Sequence, residues 1–509
     1  MRSKEVFALT LISAVTPLLP FIVNGGPFLQ DAWEHMGYVI RALDSGRLPW
    51  GPEASLSAKW PLVNLLILFM KEVTGAPALQ CSQVVPALAG LSVIPFYLTL
   101  RRLFGDRRLV LMLCSLALSL EATHMTMACS VAKITATFYP LMSSMLALTM
   151  LRDGGGRDAA LFMILSVGVL FGHHYTALTF SIMLLSTSAL IVYGRLRGEV
   201  DAASALRVVV LATVFSTSLT VYVLLLQAVP GYVGSADAAL ISSCVVLYTF
   251  LYLRRVRLSL AAAPLLICAL YLGYVILKGK IHAMFFLPTG VGLLDMVGYA
   301  ALATAILGAR PRVRGGFKTC MVGGYMASAL SMLTFSALYS FTEASIVLMM
   351  KAAYLLMPAV YMRMAYGMSD IEGKRLRTTL AALLVSLLLT PIPGLRCTVL
   401  GSPWFGGLAS YDRGQYQEMG VVCDLLGGRM VVGDTLVAYM SNVFEDLHVR
   451  QVHPYMELTE GELMLVFRRS WEAGLLEMSY EWFDIGLVVE EPYNLVFCGG
   501  HVMVLGGVA

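Results

Sequence analysis

Arg101-Arg102-Leu103-Phe104-Gly105-Asp106-Arg107-Arg108 sets four arginines among eight residues, between apolar runs at about 80–100 and about 109–127. About 20 apolar residues suffice to cross a bilayer as a helix, and both runs qualify. A cationic knot between two such runs marks a short cytoplasmic loop. The stretch predicts a polytopic α-helical membrane protein and fixes the side on which every later loop must fall.

Working outward, the same pattern recurs. Towards the N-terminus one apolar run, about 6–23, follows Arg2 and Lys4. It shows no small-residue cleavage site, so it reads as an uncleaved anchor. Towards the C-terminus further runs lie at about 134–151, 158–172, 175–193, 205–228, 236–252, 258–277, 289–308, 319–339, 346–366 and 376–391. That makes about 13 transmembrane helices. The clusters Arg152/Arg157, Arg195/Arg197, Arg254-Arg255-Val256-Arg257, Arg310 to Lys318 and Lys374-Arg375-Leu376-Arg377 all fall on one side. The histidines (His35, His124, His173, His174, His282, His448, His453 and His501) fall at or near the other.

Composition agrees: 58% of residues are hydrophobic and 13% charged, with mean hydropathy +0.76. A soluble domain carries about 25% charged residues, so one soluble core is excluded. Residues 392–509 hold 6 Lys/Arg against 15 Asp/Glu, a net −9, while residues 1–391 carry +13. The cations sit in short loops and form no continuous stripe, which excludes a nucleic-acid surface. Nine cysteines without a Cys-x-x-Cys spacing indicate neither a zinc site nor a disulfide framework.

After Pro391-Ile392-Pro393-Gly394 the pattern changes. A helix is expected from Asp412 to Leu426, and a strand over Met430-Val431-Val432. Asp434 can cap a helix from Thr435 to Phe444. Strands are expected at 463–467 and 485–489, then a hairpin around Cys498-Gly499-Gly500-His501. Residues 1–391 are thus a transmembrane domain, and 392–509 a small extracytoplasmic α/β domain.

The first outer loop, residues 24–79, contains Pro27-Phe28-Leu29-Gln30-Asp31-Ala32-Trp33-Glu34-His35-Met36. As a helix from Asp31, it places Trp33, Met36, Ile40 and Leu43 in an apolar stripe suited to a membrane surface. Asp31 and His35, four apart, share another face with Glu34 beside them. A carboxylate there could serve as a base activating an incoming hydroxyl. Asp31-Ala32-Trp33-Glu34 is equally a capping box, and the two roles can coexist. Leu62 to Met70 is too short to cross and reads as interfacial.

Other polar groups at this side are candidates for holding an anion. Lys133, beside an apolar run, suits a lipid phosphate; snorkelling is its alternative. Glu121 and His124 are its expected neighbours. His173, His174 and Tyr175 cap a hairpin and could bind sugar or phosphate. Adjacent histidines on a helix point apart, so one shared metal is not expected. Glu343 and Lys351 form a second pair, and Lys278, Lys280 and His282 a basic patch.

On Asp31 with Glu34 and His35, Gly46-Arg47-Leu48-Pro49, Lys133, His173-His174 and the thirteen-span architecture, the chain resembles the GT-C superfamily of membrane glycosyltransferases. That architecture looks most like the catalytic subunit of oligosaccharyltransferase; protein mannosyltransferases and aminoarabinose transferases share the first-loop acid. The resemblance implies an enzyme that moves a sugar from a polyprenyl- or dolichyl-phosphate donor to a glycan, lipid or protein acceptor. Transfer would occur on the extracytoplasmic side, with inversion and Asp31 as general base. No Asp-x-Asp motif lies near Asp31, and the Trp-Trp-Asp-Tyr-Gly motif of oligosaccharyltransferase is missing. Monosaccharide transfer is therefore preferred, and nothing in the sequence indicates a divalent metal (Mg or Mn). The alternatives are an oligosaccharyltransferase-like enzyme, a lipid-linked saccharide flippase or transporter, and a degenerate member that only binds lipid. The expected location is the cell membrane, with the N-terminus cytoplasmic.

Overall fold

The computed structural model describes residues 3–29, 31–48, 50–55, 58–105, 107–152, 154–228, 234–253, 293–309, 316–343, 346–399, 410–426, 428–444, 447–451, 462–468, 470, 475–478, 481–484, 493–499 and 501–507.

The chain begins with α1 (Ser3–Val15) and α2 (Leu19–Asn24), joined by one turn of tighter helix at Thr16–Leu18. Strand β1 (Gly25–Phe28) leads into α3 (Asp31–Ser45), and α4 is Leu62–Thr74. The next rod is built from α5 (Ala78–Cys81), α6 (Val84–Leu91) and α7 (Val93–Phe104). Helices α8 (Arg108–Leu120), α9 (Ala122–Ala128), α10 (Lys133–Met150), α11 (Gly156–Leu170), α12 (His174–Leu196), α13 (Ala202–Leu225) and α14 (Ser235–Leu253) follow. After them come α15 (Leu293–Gly308), α16 (Phe317–Glu343), α17 (Ile346–Ser369), α18 (Gly373–Leu389) and α19 (Pro391–Thr398).

Among the described residues six helical segments are long and apolar enough to cross a membrane, or seven if α8 and α9 count as one broken span. Each expected span within the described residues overlaps a helix; the ninth, 258–277, lies outside them, as does the Lys278/Lys280/His282 patch. The 60° bend between α8 and α9 has a local cause. Glu121 adopts an extended backbone, and its carboxylate accepts the His124 N–H at 2.9 Å, capping α9. The two residues expected as neighbours of Lys133 are thus committed to ending one helix and starting the next.

The helix ends sort as the arginine pattern requires. Arg107 donates to the carbonyls of Met368 (3.0 Å) and Ile371 (2.6 Å) and pairs with Glu372. Arg102 donates to Thr149 O, and Arg375 to Gly308 O. At the opposite ends Leu62 N–H donates to Phe171 O, and Lys59 Nζ to Gln227 O. Inside, α12 and α16 pack so closely that a Cβ on Gly324 would come within 2.0 Å of Thr187 Oγ1. Small residues permit this approach where lipid offers no hydrophobic drive to pack.

The last segment contains β2 (Ser410–Asp412), α20 (Arg413–Leu426), β3 (Met430–Gly433), α21 (Thr435–Ser441), β4 (His448–Gln451), β5 (Leu463–Phe467), β6 (Leu475–Met478), β7 (Glu481–Asp484), β8 (Tyr493–Cys498) and β9 (Val502–Gly507). Five strands form a mixed sheet in the order β4-β3-β5-β9-β8, with β3 parallel to β4 and β5, and the β8–β9 pair antiparallel. The expected strand at 485–489 lies outside the described residues. The helix break expected at Pro391 is only a one-residue interruption: α18 and α19 form one apolar helical segment, Gly373–Arg396, and a proline at the first position of α19 costs nothing. Helix α19 packs back on α9, with Gly394 against Ala122 and Met125.

Two cores result. One fills the helix bundle. The other joins Trp33, Met36 and Val39 of α3 and Val63 and Ile67 of α4 to Met419, Leu436, Leu465 and Phe467 of the C-terminal segment.

Candidate functional site

Strand β1 positions the site. It pairs antiparallel with β2, Gly25 opposite Asp412 and Phe28 opposite Ser410. Phe28 also forms a parallel bridge with Ser130. Leu29 then adopts φ +65°, a left-handed conformation that costs a non-glycine residue roughly 1 kcal/mol or more. The chain turns there into α3, whose first turn carries Asp31 and Glu34. Carboxylates suit that end of a helix, where N–H groups point outward.

The first half of the apolar stripe of α3, Trp33 and Met36, lies under protein, while Ile40 and Leu43 are partly exposed. Trp33 and Met36 are each 1% exposed. Trp33 stacks on Tyr416 at 5.5 Å and meets Tyr411 edge-on at 5.3 Å. Gly37 faces α21 so tightly that a Cβ would sit 2.6 Å from Asn442 O. The C-terminal segment therefore covers the surface that the sequence suggested for lipid.

The polar face of α3 turns towards α10. His35 is fully buried, and its Nδ1 lies 2.8 Å from Asn64 Oδ1 on α4. A carbonyl oxygen only accepts, so Nδ1 carries the proton and Nε2 presents its lone pair. Nε2 has no partner among the described residues. Burial lowers the His35 pKa to about 4; the Lys133 charge adds to this, against smaller opposing effects of Asp31 and Asn64. The ring is neutral at physiological pH. Tyr38, one turn further on, meets Ser55 Oγ at 2.5 Å.

Lys133 is the first residue of α10, preceded by Ala132, whose side chain supplies no cap. A cation at a helix N-terminus is disfavoured by the helix's own partial charge. Asp31 and Glu34 supply the opposing charge, and both act on Lys133. Lys351, in the first turns of α17, acts with Asp31 and Lys133. Lys351, expected as part of a second pair with Glu343, is thus within electrostatic reach of the first group. Its expected companion Glu343 ends α16, and its side chain lies outside what is described.

The histidine pair completes the cluster. His173 precedes α12 with extended backbone rather than lying within it. The two rings therefore sit 4.4 Å apart, contrary to the divergence expected of adjacent helical residues. His173 Nδ1 meets Thr176 Oγ1 at 3.1 Å, and His174 packs edge-on against Trp60 at 5.7 Å. Burial, then His174, Lys351 and Lys133, hold the His173 pKa well below its ordinary value. Both lysines also act on His174. Tyr175 turns away: its hydroxyl lies 2.7 Å from Ser336 Oγ and donates to Met332 O, tying α12 to α16. The phenol ties two helices together, while its ring stays in contact with His173, the centroids 6.5 Å apart.

Asp31, Glu34, His35, Lys133, His173, His174 and Lys351, from four separate elements, are thus linked by their charges. The group combines carboxylates, neutral imidazoles and two ammonium ions in a place largely withdrawn from water. It can accept a proton and hold an anion at once. Among the described residues no set of three or more His, Cys, Asp or Glu side chains is disposed to bind a metal ion. Asn64 was missed by sequence reading, although it is the one polar residue in Leu62-Val63-Asn64-Leu65-Leu66-Ile67.

No protein-family model matches the chain, and no curated protein does. Among solved structures it is similar to ArnT from Cupriavidus metallidurans bound to undecaprenyl phosphate, at 12% identity and TM-score 0.37, over 100% of this chain and 99% of that one. The apo state of the same protein gives 11% identity and TM-score 0.36, over 98% and 97%.

Proposed function

We propose that the chain is a membrane glycosyltransferase that uses a polyprenyl-phosphate-linked sugar on the extracytoplasmic side. One observation carries this reading: the Phe28–Ser130 bridge starts α3 and α10 together, so that Asp31 and Lys133 feel each other's charge, and Lys351 feels both. A base beside two ammonium ions is what displacement of a phosphate-bound sugar needs.

An acceptor hydroxyl oxygen forms a bond to the anomeric carbon while its proton passes to Asp31. The bond from that carbon to the phosphate oxygen breaks, and its electron pair stays on the lipid phosphate. Lys133 and Lys351 offset the charge that develops there. A single attack inverts the anomeric centre. Glu34 keeps Lys133 near Asp31. His35 offers its free Nε2 lone pair to a hydroxyl of donor or acceptor, and His173 and His174 line the sugar side. In this reading residues 392–509 form an outer domain that closes over the acceptor.

The test is a panel of polyprenyl-phosphate sugars given to the purified protein in lipid nanodiscs, with released polyprenyl phosphate measured. Turnover by wild type and its loss in Asp31→Asn support the proposal. Equal turnover by both removes Asp31 from the mechanism.

A further inference from the structure

The opposite face of α3 borders a second feature that this chemistry does not use. A cleft of about 640 Å³ lies between the end of α2, α3, the α4–α5 corner and α20. Its walls are largely apolar: Phe21, Trp33, Met36, Ile40 and Leu79. Among the described residues the charged side chains lining it are Lys71, in the last turn of α4, and Arg413, the first residue of α20. Neither forms an ion pair with a described residue. Gln80 and Gln417 add amide groups.

The surroundings show what the cleft opens onto. Phe21 belongs to Val6–Asn24 and Leu79 to Ala78–Phe104, two of the helical segments long and apolar enough to cross a membrane. Helix α4 is two-sided: Val63 and Ile67 point inward, while Leu65, Phe69 and Val73, spaced by four, are 42%, 63% and 66% exposed. Ile22 and Val23 are likewise open. Such a stripe beside two spanning helices belongs at a bilayer interface, where acyl chains cover it.

We infer that this cleft binds an anionic glycerophospholipid of the surrounding leaflet. Its phosphate lies between Lys71 and Arg413, and one acyl chain runs along Phe21, Ile40 and Leu79. The guanidinium suits a two-pronged contact to phosphate oxygens. The walls suit the chain, and two cations repel the choline of a zwitterionic lipid. Because Arg413 and Tyr416 stand on α20, and Trp33 and Met36 on α3, the bound lipid braces the C-terminal segment against the helix that carries Asp31. This inference is independent of the sugar transfer proposed above.

The experiment uses the full chain in detergent mixed with phosphatidylglycerol or phosphatidylcholine, and counts retained lipid by native mass spectrometry. Wild type should retain phosphatidylglycerol about tenfold or more over phosphatidylcholine, the weight of two cations facing an anionic headgroup. The double variant Lys71→Gln/Arg413→Gln should lose that preference while keeping the wild-type elution profile and thermal midpoint in lipid-free detergent. Ile40→Asp, which places a negative charge in the apolar wall, should lose it too. The proposal is overturned if wild type shows no preference or if the double variant retains it. It is also overturned if millimolar inorganic phosphate displaces the lipid, which would make the cleft a free-phosphate site.

Discussion

Phe28 and Ser130 form a parallel β-bridge, and three residues beyond each of them stand Asp31 and Lys133. The two chains run in the same direction from that bridge, so carboxylate and ammonium are delivered side by side to the first turns of α3 and α10. Residues about one hundred apart in sequence are brought into register by one backbone contact.

That pairing separates the two roles by experiment. Asp31→Asn should lower turnover by about 10²–10⁴-fold, the usual share of a positioned base, with little change in donor affinity. Lys133→Met should act mainly on the donor, raising its KM by about 10–100-fold through loss of a charge-assisted contact. Steady-state kinetics with a varied polyprenyl-phosphate sugar check both; a Lys133→Met protein with wild-type KM would remove the lysine from donor binding.

His35 gives a pH signature of stability. Its pKa is about 4 in the fold and about 6.5 when the chain unfolds. The unfolded chain therefore binds more protons between those values. The contribution is complete above about pH 6.5 and is lost as pH falls towards 4, to a total of about 3 kcal/mol. Thermal unfolding from pH 4 to 7 should show this slope in wild type and a flatter one in His35→Gln.

Asn64→Leu leaves the buried Nδ1–H of His35 without its acceptor. A destabilisation of about 1–3 kcal/mol is expected, the cost of an unsatisfied buried donor. It should appear as a lower unfolding midpoint above pH 6.5, where His35 is neutral. An unchanged midpoint would show that the contact to Asn64 carries no weight.

Gly37→Val drives a branched side chain into the backbone of Asn442, which cannot swing aside. Overpacking of this kind costs about 1–3 kcal/mol. Limited proteolysis should then reach residues 410–507 sooner than in wild type, and turnover should fall with it. Protection equal to wild type would mean that α3 and α21 separate without consequence.

The helical bundle was legible because its signal is local. Apolar run length and loop arginines are read without knowing any contact, and every expected span within the described residues overlaps a helix. The surroundings of Asp31 were legible only in part. Residue types and their side of the membrane pointed to Lys133 and the histidine pair, whereas Lys351 reaches the group through helix packing that no spacing reveals. The burial of Trp33 and Met36 was misread for the same reason. A stripe at helical spacing looks alike whether it faces lipid or a protein surface, and here the covering surface is supplied by residues at the far end of the chain. The extended backbone of His173 also defeated a helical reading of the two rings. Tyr175 keeps its ring against His173 while its hydroxyl serves the bundle interior.

The pairing of β1 with β2 has a consequence for biosynthesis. The carboxylate at the start of α3 is made early, but β2, the strand that steadies the segment before it, is translated about 380 residues later. A partly synthesised or truncated chain therefore carries its acid on an unbraced arm. Bracing arrives only with delivery of β2, so the fold acts as an interlock that withholds a settled carboxylate from an unfinished molecule.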